Sequence, residues 1–159
     1  MNAQPGSYAL LLQADRRRIV RIGRLGQLAV EPGCYVYVGS ALGSGGVRAR
    51  VGHHVRLAAR PHWHIDYLRR AAALRHVWYS YDSVRREHAW ADLFAHMRGA
   101  STPLPGFGAS DCACLAHLYF FSRQPRPDTF RRRLRAAIPN HGRVDRVRVK
   151  GITRLVFPG

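Results

Sequence analysis

The stretch Gly33-Cys34-Tyr35-Val36-Tyr37-Val38-Gly39-Ser40-Ala41 constrains the fold of this chain more than any other. Cys34 to Val38 are β-branched, aromatic or thiol residues, which suit a pleated and mostly buried surface. The run predicts a strand that ends at Gly39, where a missing side chain permits close approach of another backbone. Small residues then continue to Gly46, and a basic helical pattern begins at Val47. A strand, a Gly/Ser-rich loop and a basic helix form a junction that can hold a phosphate on backbone N–H groups. Tyr35 and Tyr37 lie two residues apart and so share one strand face.

The balance of charge narrows the partners. Twenty-six Lys and Arg oppose nine Asp and Glu, giving a formal net charge of +17 in 159 residues. Self-repulsion of that size calls for an anionic partner. Nucleic acid leads, and an acidic membrane surface comes second. Every basic residue but Lys150 is Arg, whose bidentate fork suits phosphate. With 47% hydrophobic residues the chain is globular, not disordered, and its length suits one domain. The odd count of three Cys and the polar start Met1–Gly6 lead to the expectation of a cytoplasmic protein. No apolar run reaches the roughly 18 residues of a membrane span.

The pattern predicts an α+β fold: a small, mostly antiparallel, twisted sheet flanked by helices, followed by a basic C-terminal extension. Strands are expected at Gly6–Gln13, Ile19–Ile22, Leu25–Val30 and Leu74–Tyr81. A helix at Val47–Ala59 buries Val47, Val51, Val55 and Ala58, and sets Arg50 and His54 one above the other. Helices are also expected at Trp63–Leu74 and from a Ser83 cap to Met97. The inner stripe of the latter is Val84, Glu87, Ala91 and Phe94, which puts a carboxylate among core positions. A buried acid is costly unless it is paired or bound to metal; Arg85, Arg86 or His88 could pair with it. Asp111–Phe121 reads as strand-like. The helix Phe130–Ile138 should expose Arg131, Arg132, Arg133 and Arg135, with two short strands within Val144–Phe157. Residues 124–159 hold ten basic and two acidic residues. Two units follow: a domain at 5–123 and the extension at 124–159.

Tyr37-Val38-Gly39-Ser40-Ala41, followed by Arg50 and His54, resembles the core of the GIY-YIG nuclease superfamily. Gly6-Ser7-Tyr8 corresponds to the first half-motif, and a helical Glu87 completes the order. PHWHIDYL at Pro61–Leu68 and FGASDCAC at Phe107–Cys114 extend the resemblance toward the Uri-type endonuclease branch, over roughly Pro5 to Phe121. The resemblance implies a metal-dependent endonuclease that hydrolyses phosphodiester bonds in DNA. It implies Tyr8 and Tyr37 facing each other from adjacent strands, one helping to deprotonate the attacking water. A tyrosine, with a pKa near 10, needs a nearby cation for that role. Arg50 would clamp the phosphate, and His54 would hydrogen-bond a tyrosine or the phosphate. Glu87 would hold one Mg2+ or Mn2+ with water at the other positions. Gly39, Ser40, Arg48, Arg131, Arg132 and Arg133 are the candidate DNA contacts. Twenty-eight residues separate Tyr8 from Tyr37, space that a hairpin at Ile19–Val30 would fill; Tyr35 is the substitute partner.

Other readings stand beside these. Tyr8 and Tyr37 could be ordinary strand tyrosines, and His62 and Asp66 could pair at i, i+4. Cys112, Cys114 and His117 could bind zinc with His62 or His64 as fourth ligand, but C-x-C also fits strand alternation, the preferred reading because the usual C-x2–4-C spacing is missing. The alternative to a nuclease is a nucleic-acid-binding module of the same fold without turnover. A basic structural or ribosome-associated protein would explain the charge but not Glu87. Oligomeric state is not fixed by these features.

Overall fold

Two strands with apolar residues on both faces take the middle of the molecule. The computed structural model describes residues 1–151 and the backbone of 154–156. Strand β1 (Gly6–Ala14) pairs antiparallel with β4 (Gly33–Ala41) on one side and β5 (Ala73–Tyr81) on the other. Beyond β4 lies β6 (Leu118–Phe121); beyond β5 lie β7 (Asp145–Lys150) and β8 (Arg154–Val156). Every pairing in this six-stranded sheet is antiparallel. The hairpin β2 (Arg18–Ile22) and β3 (Gly26–Val30) forms a separate two-stranded sheet and fills the gap between the tyrosines. The architecture is α+β, as the patterning predicts.

Alternation along β1 and β4 divides the core in two. Tyr8, Leu10, Leu12, Tyr35 and Tyr37 face α1 (Gly46–Val55) and the short α2 (His64–Leu68), against Val47, Val51, Ile65 and Leu68. Ala9, Leu11, Val36 and Val38 face α3 (Glu87–Ala95) and α4 (Pro127–Ala137), where Trp78, Trp90, Phe94 and Phe130 meet. The Phe94 and Phe130 rings stack at 4.5 Å and 11°. Fully burying each such aromatic stabilises the fold by about 1.5–3 kcal/mol.

Several boundaries differ from the sequence pattern. β4 does not stop at Gly39 but runs on to Ala41, because Gly39 stays paired with Tyr8. α1 ends at Val55, not Ala59, since the buried Arg69 guanidinium takes the carbonyls of His54 and Val55 at 3.1 and 3.3 Å. That caps the C-terminus with a cation. α2 is one short helix, and residues 69–72 turn into β5. α3 starts at Glu87: Asp82, not Ser83, organises the preceding turn through Val84 N–H (2.8 Å) and Arg86 (2.8 Å), leaving Val84 exposed. The strand expected from Asp111 is confined to Leu118–Phe121, and the cysteines lie in a loop.

The basic segment after residue 123 is not an appendage. β7 hydrogen-bonds to β5 inside the sheet, while Phe130 and Leu134 are buried against Trp90 and Phe94. The expected second strand coincides in part with β8; residues 152, 153 and 157–159 lie outside the described residues. Among the described residues no helix is long and apolar enough to cross a membrane.

Candidate active site

One cleft of about 260 Å³ gathers residues from four parts of the chain. Tyr8 comes from β1, Tyr37, Gly39 and Ser40 from β4, Arg50 and His54 from α1, and Glu87 from the start of α3. The register puts Tyr8 opposite Gly39 and Leu10 opposite Tyr37, so the two tyrosines share a face on neighbouring strands. Tyr35 does not join them: its hydroxyl accepts the Glu31 N–H at 2.9 Å and its ring packs on Phe120. Gly39 is required by contact, since a Cβ there would lie 2.4 Å from the Tyr8 hydroxyl.

The Tyr8 hydroxyl and His54 Nε2 are 2.8 Å apart in the buried interior of the cleft. Burial, followed by the neighbouring His53, pushes the His54 pKa down to about 3, so the ring is neutral at pH 7. A neutral imidazole has one N–H. Either Nε2 accepts the Tyr8 proton and Nδ1 carries the hydrogen, or the roles reverse. Among the described residues His54 Nδ1 has no partner. Burial raises both Tyr8 and Tyr37 well above the ordinary tyrosine value, and the Arg50 charge opposes this without overcoming it. Both are therefore neutral hydroxyls at pH 7.

Arg50 is half-buried, with its guanidinium 4.6 Å from the centre of the Trp63 ring. It makes no ion pair among the described residues, so its donors remain open to an anion. Trp63 is held in turn by Asp66, which accepts the N–H groups of His62 (2.9 Å) and Trp63 (3.0 Å) and contacts His53 Nε2 at 3.3 Å. The anticipated pairing of Asp66 with the His62 ring is thus replaced by one with His62's backbone and with His53. Burial raises the Asp66 pKa, but these hydrogen bonds outweigh it and the net shift is downward.

Glu87 is buried, and its Oε1 lies 2.7 Å from Arg85 Nη1 and 3.6 Å from His88 Nε2. The carboxylate is therefore paired, and it sits at a helix N-terminus that favours negative charge. Its Oε2 takes no hydrogen bond among the described residues, and the Arg85 side chain is half-exposed.

Two expected phosphate contacts are corrected. The first N–H groups of α1 are already occupied: Val47 donates to the Gln4 carbonyl and Arg48 to that of Asn2, both at 3.0 Å. The Gly/Ser loop is consequently not an open phosphate cradle. Arg131, expected to be exposed, is half-buried; its Nε and Nη2 donate to the Val144 carbonyl at 3.1 and 2.8 Å and fasten α4 to the chain before β7. Arg48, Arg132, Arg133 and Arg135 are exposed. The α4 arginines lie on the layer opposite α1, where Arg131, Arg132, Arg135 and Arg143 line a second cavity of about 660 Å³.

The cleft wall also includes Trp63, Arg85, Asp111, Cys112 and His117. The pattern singled out none of these for the cleft, although Trp63, Asp111 and Cys112 lie within the two longer stretches quoted for the resemblance. Among the described residues two groups could hold a metal ion: His88, Cys112, Cys114 and His117, and His53, His54 and Asp66, with ligand atoms within 4.8 Å of one another in each. His88 takes the place expected for His62 or His64; His64 Nδ1 instead accepts the Gly108 N–H at 2.9 Å.

The chain belongs to the family described as Domain of unknown function DUF123, whose model matches residues 7–138. The match spans the whole cleft, from Tyr8 to His117, and all of α4. No significant match exists among curated proteins or solved structures.

Proposed function

We propose that this protein is a divalent-metal-dependent endonuclease that hydrolyses phosphodiester bonds in DNA, as its resemblance to the Uri-type branch of the GIY-YIG nucleases suggests. The observation that carries the reading is the meeting of Tyr8, Tyr37, Arg50, His54 and Glu87, from separate elements, in one cleft. A core packed only for stability has no need for a free guanidinium, two hydroxyls and a carboxylate in one place. Arg50, stacked on Trp63, is positioned to bind a non-bridging phosphate oxygen and to offset charge developing in the transition state. His54, kept neutral by burial, orients the Tyr8 hydroxyl without adding a competing cation. Tyr8 or Tyr37 would act as the base only as a tyrosinate, its own proton first released to solvent when cationic charge in the cleft lowers its pKa, and it would then take up the proton of the attacking water. Glu87 fits a metal ligand: it is an oxygen donor on the cleft wall, with Oε2 unengaged and an Arg85 partner able to swing outward. A divalent ion there would polarise the phosphate and stabilise the leaving oxygen.

The second reading, a DNA-binding module without turnover, draws on the Arg85–Glu87 ion pair, which leaves the acid satisfied without metal. Incubating the protein with plasmid DNA, branched DNA and RNA, with and without Mg2+ or Mn2+, separates the two. Metal-dependent nicking of DNA supports the nuclease. Retention without cleavage under every condition supports the binding module.

A further inference from the structure

The loop from Gly106 to His117 carries chemistry that the proposed hydrolysis does not use. Its neck is closed by the Gly106 N–H on the Leu115 carbonyl (2.6 Å) and the His117 N–H on the Phe107 carbonyl (2.7 Å). Phe107 and Ala116 anchor its ends in the core. Between them the tip has little to hold it: Ser110, Asp111, Ala113 and Leu115 are all exposed. Yet this tip brings the Cys112 and Cys114 thiols to the His117 imidazole and to that of His88 in the first turn of α3. The His88 and His117 ring centres are 5.6 Å apart.

The spacing suits a tetrahedral ion. Zn–S bonds of about 2.3 Å and Zn–N bonds of about 2.0–2.1 Å require ligand-to-ligand edges of about 3.3–3.8 Å. Cys112 Sγ and His117 Nε2 are already 3.4 Å apart. All ligand atoms of the set lie within 4.8 Å of one another, so closure needs movements of no more than about 1.5 Å. Two thiolates and two neutral imidazoles balance the charge of a divalent ion. Soft sulfur donors select zinc over Mg2+ or Mn2+.

We propose that His88, Cys112, Cys114 and His117 bind a zinc ion that fastens the 106–117 loop to α3. Four protein ligands leave no open position, which makes the site structural, not catalytic. It adjoins Glu87, whose Oε1 is 3.6 Å from His88 Nε2, but differs from that oxygen site in ligand chemistry, and it stands whether or not the protein cleaves DNA. Because Cys112 and His117 also line the cleft, the zinc would set the position of the wall facing Tyr37. Gly108, with φ of +70°, already lies so close that a Cβ there would be 2.7 Å from the Tyr37 ring.

The test is metal content and cobalt spectroscopy on the full chain, with no DNA in the readout. Protein purified under reducing conditions is expected to retain equimolar zinc after dialysis. Metal-free protein titrated with Co2+ should develop the visible bands of a tetrahedral ion and a thiolate charge-transfer band, and zinc should bleach both. His88→Ala should weaken zinc binding by more than the roughly 10–100-fold typical of losing an outer-shell partner, and Cys114→Ser should act likewise. His62→Ala should bind as the parent does. An octahedral cobalt spectrum in the unsubstituted chain overturns the proposal even if the variants do not fold. Unchanged affinity in His88→Ala, or loss of binding in His62→Ala, also overturns it.

Discussion

Acid should destabilise this protein through one histidine, and the size of the effect follows from its burial. His54 is 1% exposed, with a pKa lowered to about 3 by desolvation first and by the His53 charge second. In the unfolded chain it titrates near 6.5. Below pH 6.5 the unfolded state therefore binds a proton that the folded state refuses. Stability is fully present above that pH and falls as pH drops toward 3. Integrating the difference to pH 5 gives a loss of about 2 kcal/mol, a large part of the roughly 5–15 kcal/mol that holds a domain together. Asp66 and Asp82 also have lowered pKa values, but they lose their contributions only in the ordinary carboxylate range and below. His64, His76 and His117 shift in the same direction as His54, so a difference experiment is needed. His54→Gln keeps an acceptor for the Tyr8 hydroxyl and removes the titration. Urea unfolding of parent and variant at pH 8, 6.5, 5.5 and 5 is the assay. The parent should lose about 2 kcal/mol more than the variant across the range. Parallel pH profiles would refute the claim that His54 is held neutral in the cleft.

Three further outcomes are expected. Gly39→Ala should cost about 1–3 kcal/mol in chemical denaturation, because the new methyl meets the Tyr8 hydroxyl; in a Gly39→Ala/Tyr8→Phe double variant the losses should be less than additive, and strict additivity would place the clash elsewhere. Arg50→Ala should lower the rate of DNA cleavage by on the order of a hundredfold or more while leaving thermal stability nearly unchanged, since Arg50 bonds to no described protein group; an equal loss of stability would assign it a packing role on Trp63. Replacing Arg132, Arg133 and Arg135 together with Gln should flatten the salt dependence of DNA binding by up to about 2.7 in log–log slope; an unchanged slope would show that this face of α4 does not touch the backbone.

The residues that could be read from the sequence are those whose chemistry is local. The alternation in β4 is set by neighbouring side chains, so the shared face of Tyr35 and Tyr37 was legible, whereas the meeting of Tyr8 with Tyr37 depends on the β1–β4 register and came only from the family resemblance. The helical spacing likewise placed His54 beside the buried stripe. Glu87 stood out because a carboxylate interrupts an apolar face, and the pairing with Arg85 was one of the readings open for it. What escaped the pattern depends on contacts distant in sequence. The Asn2 and Gln4 carbonyls close the phosphate cradle by accepting from Arg48 and Val47, 46 and 43 residues further along the chain, with no periodicity to announce them. Arg69 ends α1 from across the next turn, and Arg131 is spent on Val144, although both look in sequence like any of the other arginines. His88 meets the cysteines only because the loop brings them to α3; the sequence offered His62 or His64 as a fourth ligand, and the C-x-C spacing favoured strand alternation over zinc. The tail's place in the sheet was hidden for a similar reason: charged residues alternate with Val147 and Val149, and the partner of Val147 is Val77 on β5, 70 residues earlier.

The measurement that bears most directly on the account is supercoiled-plasmid cleavage by the Glu87→Gln variant beside the parent protein, in Mg2+ and in Mn2+, with DNA binding measured on the same samples. Gln keeps the shape of the side chain and its place in the first turn of α3 but removes the charge that would hold the ion. The parent is expected to nick DNA only with metal. The variant is expected to lose that cleavage while binding DNA as tightly or more so, because a negative charge has been taken from the cleft wall. Cleavage by Glu87→Gln at the parent's rate would contradict the proposed mechanism.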